Sequence, residues 1–261
     1  MDIKDKVALV TGAAVSRSIG LAVVEKLLEK GAKGVSVIDI NSEKGEETVE
    51  ELNKKYGKDK VIFIDCDVGS KSQLEAAYKK TKDTFGQIDI VSNNAGIVNE
   101  QEYEKMIGVN LGGVVHSTLL AVEFMGTKNG GNGGVVINTA SFAGIFPNNL
   151  LPVYAATKHG VVGYTRSVAN EPRVLENDVR VAAICPGMVN TATALKTYPS
   201  EANRYVKELK EDMERAPAIE PEVVGDSVVK MIEDPNYSGT ASLIGGGVPL
   251  TTVEIPFIDP V

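Results

Sequence analysis

Seven short runs in this chain are apolar at nearly every position, and longer stretches of helical period separate them. The runs are KVALV at 6–10, GVSVID at 34–39, VIFID at 61–65, IDIVSN at 88–93, GVVINT at 134–139, VRVAAIC at 179–185 and ASLIG at 241–245. Strands rich in Val and Ile on both of their alternating faces must be covered on both sides. Stretches such as SEKGEETVEELNKKYG at 42–57 and SQLEAAYKKTKDTFG at 72–86 supply that cover as helices. Gly31, Gly57 and Gly86 sit where helix C-caps belong. Alternation of this kind demands right-handed β-α-β crossovers. The expected fold is α/β: a doubly wound, mainly parallel, seven-stranded sheet with helices on both faces. NGGNGG at 129–134 is a turn-rich connection, and no repeat is visible, so residues 1–261 read as a single domain.

The first run is followed by TGAAVSRSIG at 11–20 and then by the amphipathic LAVVEKLLEKG. Strand, glycine turn and helix make a phosphate cradle, because a helix N-terminus offers unpaired amides and a positive dipole end. Gly12 lets the chain turn and Gly20 lets the helix approach closely. The loop between them is longer than usual, and Ser18 stands where a glycine is usual. The hydroxyls of Ser16 and Ser18 can donate to phosphate in place of a backbone approach, with Ile19 in the same turn. Asp39 closes the second run and Ile40 follows it. A carboxylate there accepts ribose hydroxyls and repels a 2′-phosphate, which points to NAD over NADP. Arg17 is the opposing signal, since a basic residue in this loop can reach a 2′-phosphate. The domain is therefore expected to be of Rossmann type, dinucleotide-binding and catalytic.

Bulk properties exclude other classes. A net charge of −8 argues against a nucleic-acid partner, which needs a basic face. No uninterrupted apolar run approaches the ~18–20 residues of a membrane span. MDIKDKVALV passes from charge directly into a strand pattern without the features of a signal peptide, so a cytoplasmic location is expected. Cys66 and Cys185 form no CxxC pair, and His116 and His159 are isolated. Buried free thiols and no metal site are expected.

YAATK places Tyr154 and Lys158 four apart on one helical face. An ammonium beside a phenol stabilises the phenolate and fits it for proton abstraction from an alcohol. Taken alone, the same pair reads more readily as a surface contact. Ser141 ends the fifth run and is placed to hydrogen-bond a substrate oxygen. Asn93-Asn94-Ala95-Gly96 follows the fourth run, Asn110 lies in the next helix, and Pro186-Gly187 with Thr191 follows the sixth. All lie at the carboxyl ends of strands, where open α/β sheets bind ligands.

These stretches together resemble the short-chain dehydrogenase/reductase family over essentially the whole length. The matching segments are TG…IG at 11–20, DV at 67–68, NNAG at 93–96, the asparagine of VNLGG, the serine of NTAS, YAATK and PGMVNT at 186–191. The resemblance implies that Tyr154 is the general base in oxidation and the acid in reduction. It implies that Lys158 lowers the tyrosine pKa and holds the nicotinamide ribose, that Ser141 positions the substrate oxygen, and that Asn110 orders a water relay. Asp67 and Val68 would border the adenine, and Asn94, Ala95 and Gly96 the cofactor cleft. Pro186, Gly187, Val189 and Thr191 would hold the nicotinamide end.

The substrate expectation is a small, apolar, lipid-like secondary alcohol, such as a hydroxy-eicosanoid, a steroid or an isoprenoid. Phe142, Phe146, Leu151 and Met188 are the candidate apolar walls beside Ser141, and residues 192–221 are a candidate lid. Readings left open are an NADP-dependent carbonyl reductase, a steroid or isoprenoid alcohol dehydrogenase, and an NAD-binding protein without turnover. The resemblance also implies a homo-oligomer, dimer or tetramer.

Overall fold

The computed structural model describes residues 1–192 and 205–254. In chain order the strands are β1 (Val7–Thr11), β2 (Gly34–Asp39), β3 (Val61–Asp65), β4 (Ile90–Asn93), β5 (Gly134–Thr139), β6 (Val179–Pro186), β7 (Ala241–Gly245) and β8 (Val248–Thr252). The helices are α1 (Ile19–Glu29), α2 (Ser42–Tyr56), α3 (Lys71–Phe85), α4 (Tyr103–Ile107), α5 (Val114–Met125), α6 (Pro152–Val168), α7 (Pro172–Glu176), α8 (Val206–Arg215) and α9 (Pro221–Glu233). The strands lie in the order β3-β2-β1-β4-β5-β6-β7-β8. All pairings are parallel except that of β7 with β8.

The seven-stranded expectation is thus corrected to eight. β8 returns antiparallel through a two-residue turn in which Gly247 has φ +79°. Its VPLTT sequence hides it from an apolar-run search, because an edge strand needs less cover and tolerates a proline.

β1 is buried on both faces, as its sequence requires. Ala8 and Val10 pack with Val23, Val24 and Leu27 of α1 and Val224, Val228 and Ile232 of α9. Leu9 packs on the other side with Leu74 and Tyr78 of α3 and Leu120 and Val122 of α5. The chain winds outward from β1 to β3, then returns to start β4 on the other side of β1. That reversal opens a crevice at the carboxyl ends of β1 and β4.

Behind the crevice runs a buried polar ladder. Asn93 Nδ2 donates to Asn138 Oδ1 (2.9 Å), and Asn138 Nδ2 donates to Thr165 Oγ1 (2.9 Å). Ser117 Oγ donates to Asn93 Oδ1 (2.6 Å) and is itself paired with the Tyr78 hydroxyl (2.7 Å). The bonds tie the ends of β4 and β5 to each other and to the covering helices, and α3 to α5.

Tyr103–Met125 is one helical run of 23 residues whose most apolar part has a mean hydropathy of 1.4. By length and composition it is able to cross a membrane, but half of that part is buried within this fold. Six of its residues, Gly108–Gly113, form a π-helical turn.

Asn138→Leu leaves the Asn93 amide and the Thr165 hydroxyl without these partners inside the fold. A cost of about 2–3 kcal/mol is expected, seen as a fall of roughly 5–10 °C in the circular-dichroism melting temperature. An unchanged melt would show that the ladder adds nothing to stability.

Candidate active site

The crevice is closed at its base by contacts between the ends of β1 and β4. Thr11 Oγ1 accepts from the amides of Asn94 and Ala95, both at 3.0 Å. Asn94 Nδ2 donates back to the carbonyls of Thr11 and Gly12, both at 3.1 Å. Gly12 turns the chain at φ +68°. A Cβ on Gly20 would meet the Gly12 oxygen at 2.4 Å and Asn94 Nδ2 at 2.8 Å, so only glycine fits. Ser18 takes a role that its position in the loop concealed: its Oγ accepts from Leu21 N (3.1 Å) and caps α1. The amides of Ile19 and Gly20, in the first turn of α1, have no partner among the described residues, as an anion site requires.

Asp39 stands beside this loop. Oδ2 accepts from Ala14 N and Oδ1 from Asn41 N, each at 3.1 Å, which fixes the carboxylate and leaves one lone pair on each oxygen. Ile40 next to it is 64% exposed, an apolar shelf at the end of β2. Ser16 is exposed. Arg17 has φ +52° and its guanidinium pairs with Glu220 at 3.4 Å. Across the crevice Asp67 Oδ1 accepts from Gly69 N (2.8 Å), and Val68 is buried against Gly113.

Ser141, Tyr154, Lys158 and Asn110 converge beyond the crevice. Tyr154 and Lys158 lie on α6, with Lys158 Nζ 5.7 Å from the centre of the tyrosine ring. Lys158 is 4% exposed, and its ammonium donates to the Thr139 carbonyl at 2.8 Å. Burial pushes its pKa down to about 8. Burial also raises the Tyr154 phenol above its ordinary value, opposed by a hydrogen bond with the Ser141 hydroxyl. The ammonium is turned to the Thr139 carbonyl, and the Ser141 hydroxyl is the contact that opposes burial at Tyr154 in this structure.

Asn110 lies in the π-helical turn and is fully buried. Its Oδ1 accepts from Ile97 N (2.8 Å), and its Nδ2 donates to Ile97 O (2.9 Å) and Thr157 Oγ1 (3.3 Å). A Cβ on Gly96 would lie 3.3 Å from Asn110 Oδ1 and 3.6 Å from Lys158 Nζ, so both groups reach one point next to Gly96.

The far wall follows β6. Gly187 N donates to Ile244 O (2.8 Å), Val189 bridges to Ile219, and Thr191 N donates to Val189 O (2.8 Å). Ala192 N donates to Arg17 O (3.1 Å), so this wall meets the glycine loop. Pro186 is buried. Phe142 packs edge-on to Phe146 with centroids 6.1 Å apart, and Phe146 is 50% exposed. Met188 is half-buried. Leu151 is corrected: it is 2% exposed, buried at the start of α6, and offers substrate no surface. Of the candidate lid at 192–221, residues 193–204 lie outside the described residues.

Comparison with known proteins now decides the family. The model of the short chain dehydrogenase family matches residues 6–202. This chain belongs to the short-chain dehydrogenase family. It is 41% identical over 244 residues to 15-hydroxyprostaglandin dehydrogenase [NAD(+)] of Homo sapiens, covering 92% of this chain and 90% of that one. It is 38% identical over 211 residues to an uncharacterized oxidoreductase of Thermotoga maritima, 78% of this chain and 79% of the other. The crystal structure of a short-chain dehydrogenase/reductase from Burkholderia phymatum in complex with NAD superposes with a TM-score of 0.80 at 23% identity, over 93% of this chain and 90% of that one.

For a short-chain dehydrogenase the crevice has what a dinucleotide needs. It has a cradle that any Cβ would fill, free amides at the start of α1 and a carboxylate with lone pairs to spare. The burial of Lys158 also has a cost. Its pKa in the fold, about 8, lies below its unfolded value of ~10.4. The unfolded chain therefore binds more protons between these pH values, and wild-type stability gains with rising pH across that window. Well below pH ~8 the full penalty, on the order of 3 kcal/mol, is present. Lys158→Met removes it. Thermal melts should show the variant at least as stable as wild type at pH 7, with the difference shifting toward wild type by pH 10. A pH-independent loss of stability would contradict the assignment.

Proposed function

We propose that this short-chain dehydrogenase is an NAD-dependent oxidoreductase that interconverts a secondary alcohol and its ketone, and that its substrate is a lipid-like hydroxy acid. The observation that carries the reading is the meeting of Tyr154, Ser141, Lys158 and Asn110 beside the Gly12–Gly20 cradle. The substrate class is supported by the 41% identity to 15-hydroxyprostaglandin dehydrogenase [NAD(+)] and by the exposed Phe146 next to Phe142.

Ile19 and Gly20 amides would hold the pyrophosphate, Asp39 the adenosine ribose, and the Pro186–Thr191 wall the nicotinamide. Bound there, NAD supplies the hydride acceptor. Ser141 holds the carbinol oxygen against Tyr154. In oxidation Tyr154 accepts the hydroxyl proton; in reduction it donates one. Lys158, while protonated, would stabilise the phenolate beside it. Asn110 keeps the loop after β4 at its distance from Lys158. A raised phenol makes oxidation accelerate as pH rises above neutrality and reduction slow. Preference for NAD follows from Asp39 and from Arg17, whose guanidinium is paired with Glu220 instead of facing the ribose. The outer side of the α4–α5 run exposes Ile107 (43%) and Leu119 (37%), and this side with α6 is the proposed contact between subunits of an oligomer.

The test follows reduced nicotinamide by absorbance, with NAD and NADP in parallel. A prostaglandin-type 15-hydroxy acid, a hydroxysteroid, farnesol and a simple secondary alcohol serve as substrates. Turnover of the hydroxy acid with NAD is expected. Turnover of another alcohol alone keeps the chemistry and refutes the substrate class; none with either cofactor refutes the activity.

Tyr154→Phe should lower kcat by about 10²–10⁴-fold while NAD still binds. Substantial residual turnover would refute the base assignment. Asp39→Ala should weaken NAD and relax rejection of NADP, read from the two kcat/KM values; an unchanged ratio would show that Asp39 is not the ribose acceptor.

A further inference from the structure

The helix that carries Tyr154 and Lys158 begins without a cap of its own. Leu151 occupies the N-cap position and has no side-chain acceptor, and Pro152 has no amide to satisfy. The next helical bond, from Ala155 N to Leu151 O, is already made. Two orphan donors remain, the amides of Val153 and Tyr154. One carboxylate takes both: Glu100 Oε2 accepts from Val153 N at 3.1 Å, and Oε1 accepts from Tyr154 N at 2.8 Å. Glu100 lies 54 residues upstream of Tyr154. It belongs to the loop after β4 that also carries Asn94, Gly96 and Ile97.

We propose that Glu100 is a positioning residue for Tyr154: its carboxylate pins the first turn of the catalytic helix to the loop lining the cofactor crevice. The inference rests on the alcohol-oxidising reading above. Two features make the contact more than a generic cap. One of the two donors is the amide of Tyr154 itself, so the bond sets the height of that residue against Ser141. The loop that presents Glu100 is also anchored independently, by Thr11 to Asn94 and Ala95 and by Asn110 to Ile97. Loss of Glu100 therefore frees the start of α6 while leaving the dinucleotide cradle in place. A charge at a helix N-terminus also meets the positive end of the helix dipole, which strengthens both bonds.

The test uses the full chain with Glu100→Ala and Glu100→Gln. A prostaglandin-type 15-hydroxy acid is the substrate, NAD affinity is measured separately, and amide exchange is followed in the peptide containing Val153 and Tyr154. Glu100→Ala should lower kcat by roughly 10–100-fold, the scale of a misplaced reacting group. The NAD dissociation constant should stay within about threefold, because its anchors are untouched. Exchange at Val153 and Tyr154 should accelerate. Glu100→Gln, which keeps one acceptor oxygen, should fall between the two. If the alanine variant does not fold, the glutamine variant decides by the same criteria. A kcat within about threefold of wild type in a folded variant overturns the proposal, as does a loss carried by NAD affinity instead of kcat. A wild-type protein that oxidises no alcohol sinks the functional reading, and the exchange measurement then still shows whether Glu100 holds the helix.

Discussion

The close approach of two backbone segments at the β1–β4 crossover is the constraint on which the rest of this molecule depends. Gly20 has no room for a Cβ against the Gly12 carbonyl, and Asn94 spans both carbonyls at the end of β1. Thr11 draws the first two amides beyond β4 onto a single hydroxyl oxygen. These contacts close the base of the crevice and aim the start of α1 into it. Sheets of this winding order open at that point whatever their side chains. What the chain adds is glycine at the two points where the segments come closest, Gly12 and Gly20.

The proposed chemistry would be built on desolvation. Tyr154 and Lys158 are pushed in opposite directions, the phenol up and the ammonium down to about 8, because burial disfavours the charged form of each. Neither shift favours the phenolate by itself. The Ser141 hydroxyl opposes the rise at Tyr154, and it reaches that residue because β5 delivers Ser141 to the same end of the sheet. The strain of holding an ammonium inside the fold is borne by the framework around it: a carbonyl at 2.8 Å, the polar ladder behind, and Glu100 at the head of the helix.

Much of this was legible in the sequence, for identifiable reasons. Doubly buried strands announce themselves by continuous Val and Ile, and seven of the eight were readable within a residue or two. β8 was not, because a short edge strand with a proline carries no such signal. Tyr154 and Lys158 share a helical face by spacing alone. The contacts that hold them in place were illegible, because they join residues far apart in the chain: Thr11 with Asn94, Asn110 with Ile97, Glu100 with Tyr154. One local sign existed for the last. LLPVYAATK has a proline at the helix start and no Ser, Thr, Asp or Asn before it, so an acceptor had to come from elsewhere. Which of the acidic residues in NEQEYEK would provide it was beyond reach of pattern. Ser18 was legible as a donor but not as the cap of α1, since one hydroxyl can accept from the helix and still donate outward. Leu151 misled because an apolar residue in a substrate loop is as readily core as wall.

The central claim is that a carbinol hydride leaves directly for a nicotinamide held in this crevice while Tyr154 takes the proton. The most direct measurement supplies NAD and a 15-hydroxy fatty acid deuterated at the carbinol carbon, and reads the mass of the reduced dinucleotide. The account predicts one deuterium in the reduced cofactor for every ketone formed. Ketone formed with unlabelled reduced cofactor, or no reduced cofactor at all, would contradict it.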